Sequence, residues 1–148
     1  MIFLLVSVAV FNLAAILIPK NISWIEIYGT ILISIVLHLL IDTFLDLKYD
    51  LYGYFDKGVD FKTLIFTFGI YPAVNIIIVN LYPLVHGILS KSLYILILTI
   101  FALSYEVALL NVNIFYHNEW RLWYSAIVYP FLLILLFLNR KLLKRLLN

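Results

Sequence analysis

At 148 residues the chain has the length of one soluble domain, but 66% of its residues are hydrophobic and only 12% are charged. This composition, with a mean hydropathy of +1.11, is typical of a protein that resides in a lipid bilayer. The net charge of +2 is too small to indicate nucleic-acid binding, and the lack of cysteine excludes disulfides, thiolate nucleophiles and cysteine-based metal sites.

Five apolar stretches, separated by polar residues, are candidates for membrane spans. A span needs about 20 mostly apolar residues to cross roughly 30 Å of hydrocarbon. The stretches cover approximately 2–18, 24–47, 63–84, 92–113 and 122–139. The first has no basic leader and no cleavage signal, so it is interpreted as a retained span. The sequence therefore predicts an all-α, polytopic transmembrane helical bundle that forms a single integral membrane domain, 1–148.

The segments between these stretches carry turn and interface signals. Pro19 ends the first stretch and Ser23 can cap the second, which predicts that the first two helices pack antiparallel to each other. Segment 48–62 is rich in aspartate and tyrosine and is predicted to be a loop, with its tyrosines at the membrane interface. Segment 116–123 is predicted to be a second aromatic belt at the interface. Pro72 predicts a kink in the third helix.

The distribution of lysine and arginine predicts the orientation of the chain. With the N-terminus outside, more of these residues lie inside than outside. Those inside are Lys20, Lys91, Arg140, Lys141, Lys144 and Arg145, and those outside are Lys48, Lys57, Lys62 and Arg121. We therefore predict an N-out, C-in topology, with the short basic tail at 140–148 lying as an amphipathic anchor on anionic cytoplasmic lipid.

The second stretch carries a polar residue at every fourth position. The series consists of Glu26, Thr30, Ser34, His38, Asp42, Asp46 and Asp50. Each step of four drifts about 40° around an α-helix, so Ser34 to Asp46 can share a face but the ends of the series cannot. Asp46 and Asp50 are expected to be solvated charges at the helix end. Asp42 lies deeper, and an ionised carboxylate facing lipid costs about 2.5 to 3.5 kcal/mol, so it should face the bundle interior and have a partner.

The number of residues between a side chain and the end of its span gives its depth in the membrane, and this depth makes Glu106 the predicted partner. Glu106 lies about seven residues, roughly 10 Å, from the outer end of the fourth stretch, at a depth similar to that of Asp42. Tyr71 and Asn75 enter from the same side on the third stretch. We therefore predict an outward-opening pocket formed by His38, Asp42, Glu106, Tyr71 and Asn75. Such a pocket suits a proton, a metal ion or the ammonium group of a small ligand, and the protein would bind, sense or transport it.

Other interpretations of the same residues stay open. The polar stripe of the second helix can also be a helix–helix interface, which would suit a structural or accessory subunit that contacts a second copy or another membrane protein. An intramembrane metal-dependent enzyme is least favoured, because the sequence has no nucleophile elbow, P-loop, metalloprotease or dinucleotide motif, and no cofactor is predicted. His117 and Glu119 are expected to form a solvated pair at the interface rather than a metal site.

Two segments carry a family resemblance. They are 46–60, DLKYDLYGYFDKGVD, and 69–75, GIYPAVN. In these segments the chain resembles a small family of uncharacterised polytopic membrane proteins from spore-forming Gram-positive bacteria. The resemblance implies a location in a bacterial cytoplasmic or spore membrane and implies no mechanism.

Overall fold

A computed structural model describes residues 1–146 and places five helices and one short two-stranded ribbon in the chain. The helices are α1 (Ile2–Leu17), α2 (Trp24–Asp42), α3 (Tyr71–Leu81), α4 (Ile88–Asn111) and α5 (Leu122–Leu146), and the strands are β1 (Tyr52–Tyr54) and β2 (Phe115–His117). A π-helical segment, Thr43–Lys48, continues α2, and another, Ile65–Ile70, precedes α3. Four helical segments are long and apolar enough to cross a membrane, whereas α1 has only 16 residues. The prediction of an all-α protein is confirmed.

The turn between α1 and α2 is held by polar side chains on both sides. Lys20 Nζ donates to the carbonyl oxygens of Ala15 and Ile18 at 2.6 and 2.8 Å, which satisfies acceptors that the end of α1 leaves open. Ser23 begins α2 with a capping box, in which its hydroxyl accepts from the Glu26 amide and the Glu26 carboxylate accepts from the Ser23 amide. The predicted role of Ser23 as a helix cap is confirmed.

The helices form a ring in the order α1, α3, α2, α5, α4. Helix α2 packs between α3 and α5, α4 packs on α5, and α1 packs on α3. Phe11 of α1 contacts Phe101 and Tyr105 of α4 through its ring and closes the circle. The prediction that α1 and α2 pack antiparallel against each other is wrong, because α1 packs on α3 instead. A polar contact joins α1 to this neighbour: Asn12 donates to the Gly69 carbonyl, in the π-helical segment that precedes α3, at 2.6 Å.

The ribbon joins the two connections at one end of the ring. Strands β1 and β2 are antiparallel, with Gly53 opposite Tyr116. A β-carbon at Gly53 would lie 2.4 Å from the Tyr116 hydroxyl, so only glycine leaves room for this ring. Part of segment 48–62 is therefore a strand and not only a loop, because its partner strand comes from the distant segment after α4. This pairing requires both connections to lie at the same end of the bundle.

The opposite end of the ring is closed by an apolar cluster and an ion pair. Tyr82 stacks on Phe137 with ring centres 3.9 Å apart. Arg140 Nε lies 2.9 Å from Glu26 Oε1; the Glu26 side chain is buried, and the Arg140 side chain is only partly exposed. Helix α5 continues through Arg140 without a break, and Leu143 packs over Gly29 of α2. The predicted basic tail is thus the last part of α5 up to Leu146, and its final residues, 147–148, lie outside the described part of the chain.

Candidate functional site

A cavity of about 220 Å³ lies inside the ring. Its wall contains residues from every helix and from both connections that carry the ribbon. All five residues of the predicted pocket line it: His38 and Asp42 from α2, Tyr71 and Asn75 from α3, and Glu106 from α4. The rest of the wall is mainly apolar and aromatic. A concave apolar wall with a few convergent polar groups is the usual form of a small-molecule site.

The ribbon end of the cavity is lined by aromatic residues. Tyr52 and Tyr54 come from β1, Phe115 from β2, and Trp120 from the segment that follows β2. Their rings are in mutual contact, with the Tyr52 ring centre 5.2 Å from Phe115 and 5.5 Å from Trp120. Packed aromatic side chains therefore lie at the end of the cavity where the sequence predicted an outward opening. Hydropathy could not show this, because the cover depends on pairing between two separate connections.

Asp42 is buried in the wall and keeps one oxygen without a hydrogen bond. Its Oδ1 accepts from the Tyr52 hydroxyl at 2.8 Å. Its Oδ2 lies 3.2 Å from His38 Nδ1, yet this contact lacks hydrogen-bond alignment and Oδ2 has no hydrogen-bond partner within residues 1–146. Burial, together with the adjacent Asp42 carboxylate, raises the pKa of the Tyr52 phenol, so Tyr52 stays a donor.

His38 is the second buried group with an unused polar atom. Its side chain is 5% exposed, and its Nε2 has no hydrogen-bond partner in the described chain. The ring lies against Tyr71 with centres 4.2 Å apart. The Tyr71 hydroxyl in turn contacts the Tyr54 hydroxyl at 2.9 Å, and burial raises the pKa of Tyr54. A buried polar atom without a partner is costly, so His38 Nε2 and Asp42 Oδ2 are the candidate ligand contacts on α2.

Glu106 differs from Asp42 because both of its oxygens are occupied. Oε1 contacts His117 Nε2 at 2.8 Å and accepts from the Ser125 hydroxyl at 2.9 Å. Oε2 accepts from the Tyr129 hydroxyl at 2.5 Å. Trp120 donates its indole N–H to Ser125 and extends the network to the connection after β2. These contacts tie α4 to β2 and α5.

Asn75 and Ser34 form a third polar contact in the wall, farther along α2 from Asp42. Asn75 Nδ2 donates to Ser34 Oγ at 2.9 Å, and the Ser34 hydroxyl donates to the Thr30 carbonyl at 2.6 Å. Asn75 therefore joins α3 to the polar stripe of α2. This contact is the helix–helix hydrogen bond that the alternative interpretation of the stripe expected.

The structure adds detail to one expectation about charged residues and contradicts another. Asp42 and Glu106 both line the cavity, but within residues 1–146 they do not hydrogen-bond to each other and have no hydrogen-bonded group in common. Asp46 is only 7% exposed and is not solvated. The reason is that the π-helical segment Thr43–Lys48, which carries Asp46, packs against strand β1 and does not end in solvent.

Several residues of the site were not part of the pocket predicted from the sequence. They are Tyr52, Tyr54, His117, Ser125 and Tyr129. His117 pairs with Glu106 and not with its near neighbour Glu119. A weak signal existed in Ser125 and Tyr129, which lie four residues apart and hence on one face of α5.

The charges of the wall set limits on its chemistry. Among the described residues that line the cavity there is no lysine and no arginine, so its ionisable groups are carboxyls, an imidazole and phenols. Residues 1–146 also contain no group of three His, Asp or Glu side chains placed to hold a metal ion.

Comparison with known proteins leaves the site to be interpreted from its own geometry. No protein-family model matches the chain, no curated protein matches its sequence, and no solved structure matches its fold.

Proposed function

We propose that the protein is an integral membrane protein that crosses the bilayer five times with its N-terminus outside and its C-terminus inside. Four helices have the required length and composition. The 16 residues of α1 would reach about 24 Å at 1.5 Å per residue, which is slightly less than the hydrocarbon thickness. The family resemblance supports a bacterial cytoplasmic or spore membrane as the location.

The proposed activity is binding of a cation, a proton or a small polar ligand in the cavity, as part of sensing or transport. The observation that supports it is a set of buried polar atoms without a hydrogen-bond partner in the wall of one cavity, with His38 Nε2 and Asp42 Oδ2 next to each other on α2 and the Tyr105 hydroxyl on α4. Ionisable residues inside membrane helices are costly, and they usually line substrate or ion pathways. A bound ligand would offset the cost of leaving such atoms unpaired.

Accessibility to charged thiol reagents tests this proposal. The chain has no native cysteine, so single cysteines can be introduced without background labelling. Ala102→Cys places a thiol in the cavity wall, and Ser104→Cys places one on the exposed face of the same helix. Val59→Cys lies in the connection before α3, where Val59 is 86% exposed, and serves as the solvent-accessible reference.

The expected result depends on charge. A trimethylammonium methanethiosulfonate should label Ala102→Cys faster than the corresponding sulfonate reagent, because the cavity wall carries carboxyls and no cationic side chain. Val59→Cys should react with both reagents, and Ser104→Cys with neither, because a thiol in lipid does not ionise. If neither reagent reaches Ala102→Cys while Val59→Cys is labelled, no hydrophilic ligand enters the cavity and the proposal is wrong.

A second function, that of a structural or accessory subunit, is favoured by one observation. The Glu106 network is fully bonded and joins α4, β2 and α5. Such a network would fix helix positions even without a ligand. A membrane protein that co-purifies in constant ratio with the wild type, together with failed labelling of Ala102→Cys, would favour this function.

A further inference from the structure

The two acidic residues of the cavity differ in their capacity to bind anything more. Glu106 already accepts from Ser125 and Tyr129 and contacts His117, so both of its oxygens are engaged. Asp42 accepts one bond, from Tyr52, and keeps Oδ2 free of hydrogen bonds. A ligand that enters the cavity therefore finds an available acceptor on Asp42 and none on Glu106.

The available atoms suit a ligand that donates hydrogen bonds and carries positive charge. Asp42 Oδ2 is an acceptor, and His38 Nε2 accepts when the ring proton resides on Nδ1, beside the Asp42 carboxylate. No lysine or arginine of the described wall competes for this carboxylate. An ammonium group brings several N–H donors and the compensating charge at once, whereas a sulfonate or carboxylate would meet repulsion.

The surroundings of these atoms suit an organic cation better than a hydrated inorganic one. Tyr71 lies against His38, and Phe66, Phe101 and Tyr105 also line the cavity. Aromatic faces attract ammonium groups, and apolar walls bind the hydrocarbon part of a ligand. The volume of about 220 Å³ exceeds the roughly 150 Å³ that is sufficient for a bound benzene ring. A hydrated metal ion would leave most of these walls unused.

We infer that the cavity recognises a small organic ammonium compound, with the ammonium group on Asp42 and His38 and the apolar body along the aromatic wall. Glu106 is then a positioning residue that holds α4, β2 and α5 around the ligand and does not touch it. This inference rests on the proposed function, because it names the ligand class of the same cavity.

Binding of three matched probes tests the inference. The probes are phenethylamine, phenethyl alcohol and ethylbenzene, which share an aromatic body and differ in the group that would meet Asp42. Affinities for the purified full-length protein in nanodiscs are measured by ligand-observed NMR. Phenethylamine should bind wild type about tenfold or more tightly than phenethyl alcohol, the factor expected of a hydrogen bond to a charged group.

Three variants assign the preference to a residue. Asp42→Asn removes the charge but keeps an acceptor for Tyr52, and it should abolish the preference for the amine while ethylbenzene still binds. Glu119→Gln removes an exposed carboxylate near the same end and should leave the preference unchanged. Glu106→Gln should lower thermal stability and keep the preference in the folded fraction, as a positioning role requires.

The outcomes separate failure of the inference from failure of the proposed function. Equal binding of amine and alcohol to wild type, or an unchanged amine preference in Asp42→Asn, overturns the inference while cavity binding stands. If Glu106→Gln loses the amine preference at unchanged stability, Glu106 and not Asp42 binds the ammonium group, and the inference is also overturned. If none of the probes binds and Ala102→Cys is not labelled, the proposed function fails as well.

Discussion

Removing the carboxyl of Glu106 should destabilise the bundle more than removing that of Asp42. Glu106→Ala leaves the hydroxyls of Ser125 and Tyr129 and the ring of His117 without their buried acceptor. Asp42→Ala deprives only Tyr52 of a hydrogen bond and at the same time removes a buried oxygen that had no partner. The two variants delete acidic side chains of similar burial, so they differ mainly in the number of bonds lost.

The structure sets the size of this difference. At about 0.6 kcal/mol for each hydrogen bond inside a membrane protein, three lost contacts cost about 2 kcal/mol for Glu106→Ala. The cost can reach about 5 kcal/mol, because the lost acceptor is charged and the donors left without it are buried. For Asp42→Ala, one lost hydrogen bond costs about 0.6 kcal/mol. Removal of the buried, unpaired Oδ2 partly offsets this cost.

Unfolding in mixed micelles with increasing dodecyl sulfate measures both values, with tryptophan fluorescence as the signal. Trp120 donates to Ser125 and therefore reports directly on the Glu106 network. Glu119→Ala is the control, since its side chain is exposed and its removal should change the free energy of unfolding by less than about 0.5 kcal/mol. An Asp42→Ala variant as unstable as Glu106→Ala would refute the assigned partners of both carboxylates.

Three further predictions concern other parts of the fold. Gly53→Ala should lower stability by about 1 kcal/mol, because the new methyl group displaces the Tyr116 ring, and adding Tyr116→Ala should recover most of this loss in the same titration. Arg140→Ala should cost about 3 kcal/mol, because it leaves the buried Glu26 carboxylate without its cation, and Glu26→Gln in the same chain should restore part of it. Val59→Cys should be labelled by the impermeant sulfonate reagent in intact cells if the ribbon end faces outside; labelling only after lysis would reverse the proposed orientation.

The polar stripe of α2 shows how far sequence reasoning reached. Its period of four residues, in a segment too apolar for solvent, was enough to predict that His38 and Asp42 avoid lipid, and both are buried. The stripe extends farther than predicted, from Glu26 to Asp46. Asp46 is buried because strand β1 packs against the π-helical segment that carries it, and Glu26 because Arg140 reaches it from the end of α5. Neither cause is local to the stripe.

For Glu106 the sequence predicted burial, whereas only the structure showed which groups it contacts. Its depth in an apolar helix predicted a buried carboxyl that needs partners, because the cost of facing lipid depends only on residue type and position. Depth alone could not choose among partners on other helices. His117 reached Glu106 only because β2 pairs with β1 and turns this connection toward the bundle.

Sequence by itself determined that the chain forms apolar helices, roughly where they begin and end, and which polar residues must avoid lipid. These properties follow from composition and from the helical repeat, and both act over a few neighbouring residues. Only the tertiary structure decided the order of helices in the ring, the aromatic cover over the cavity, and the fact that Asp42 keeps a free oxygen while Glu106 does not. Those features depend on contacts between residues far apart in the chain, whose energies of burial and hydrogen bonding exist only once the ring has closed.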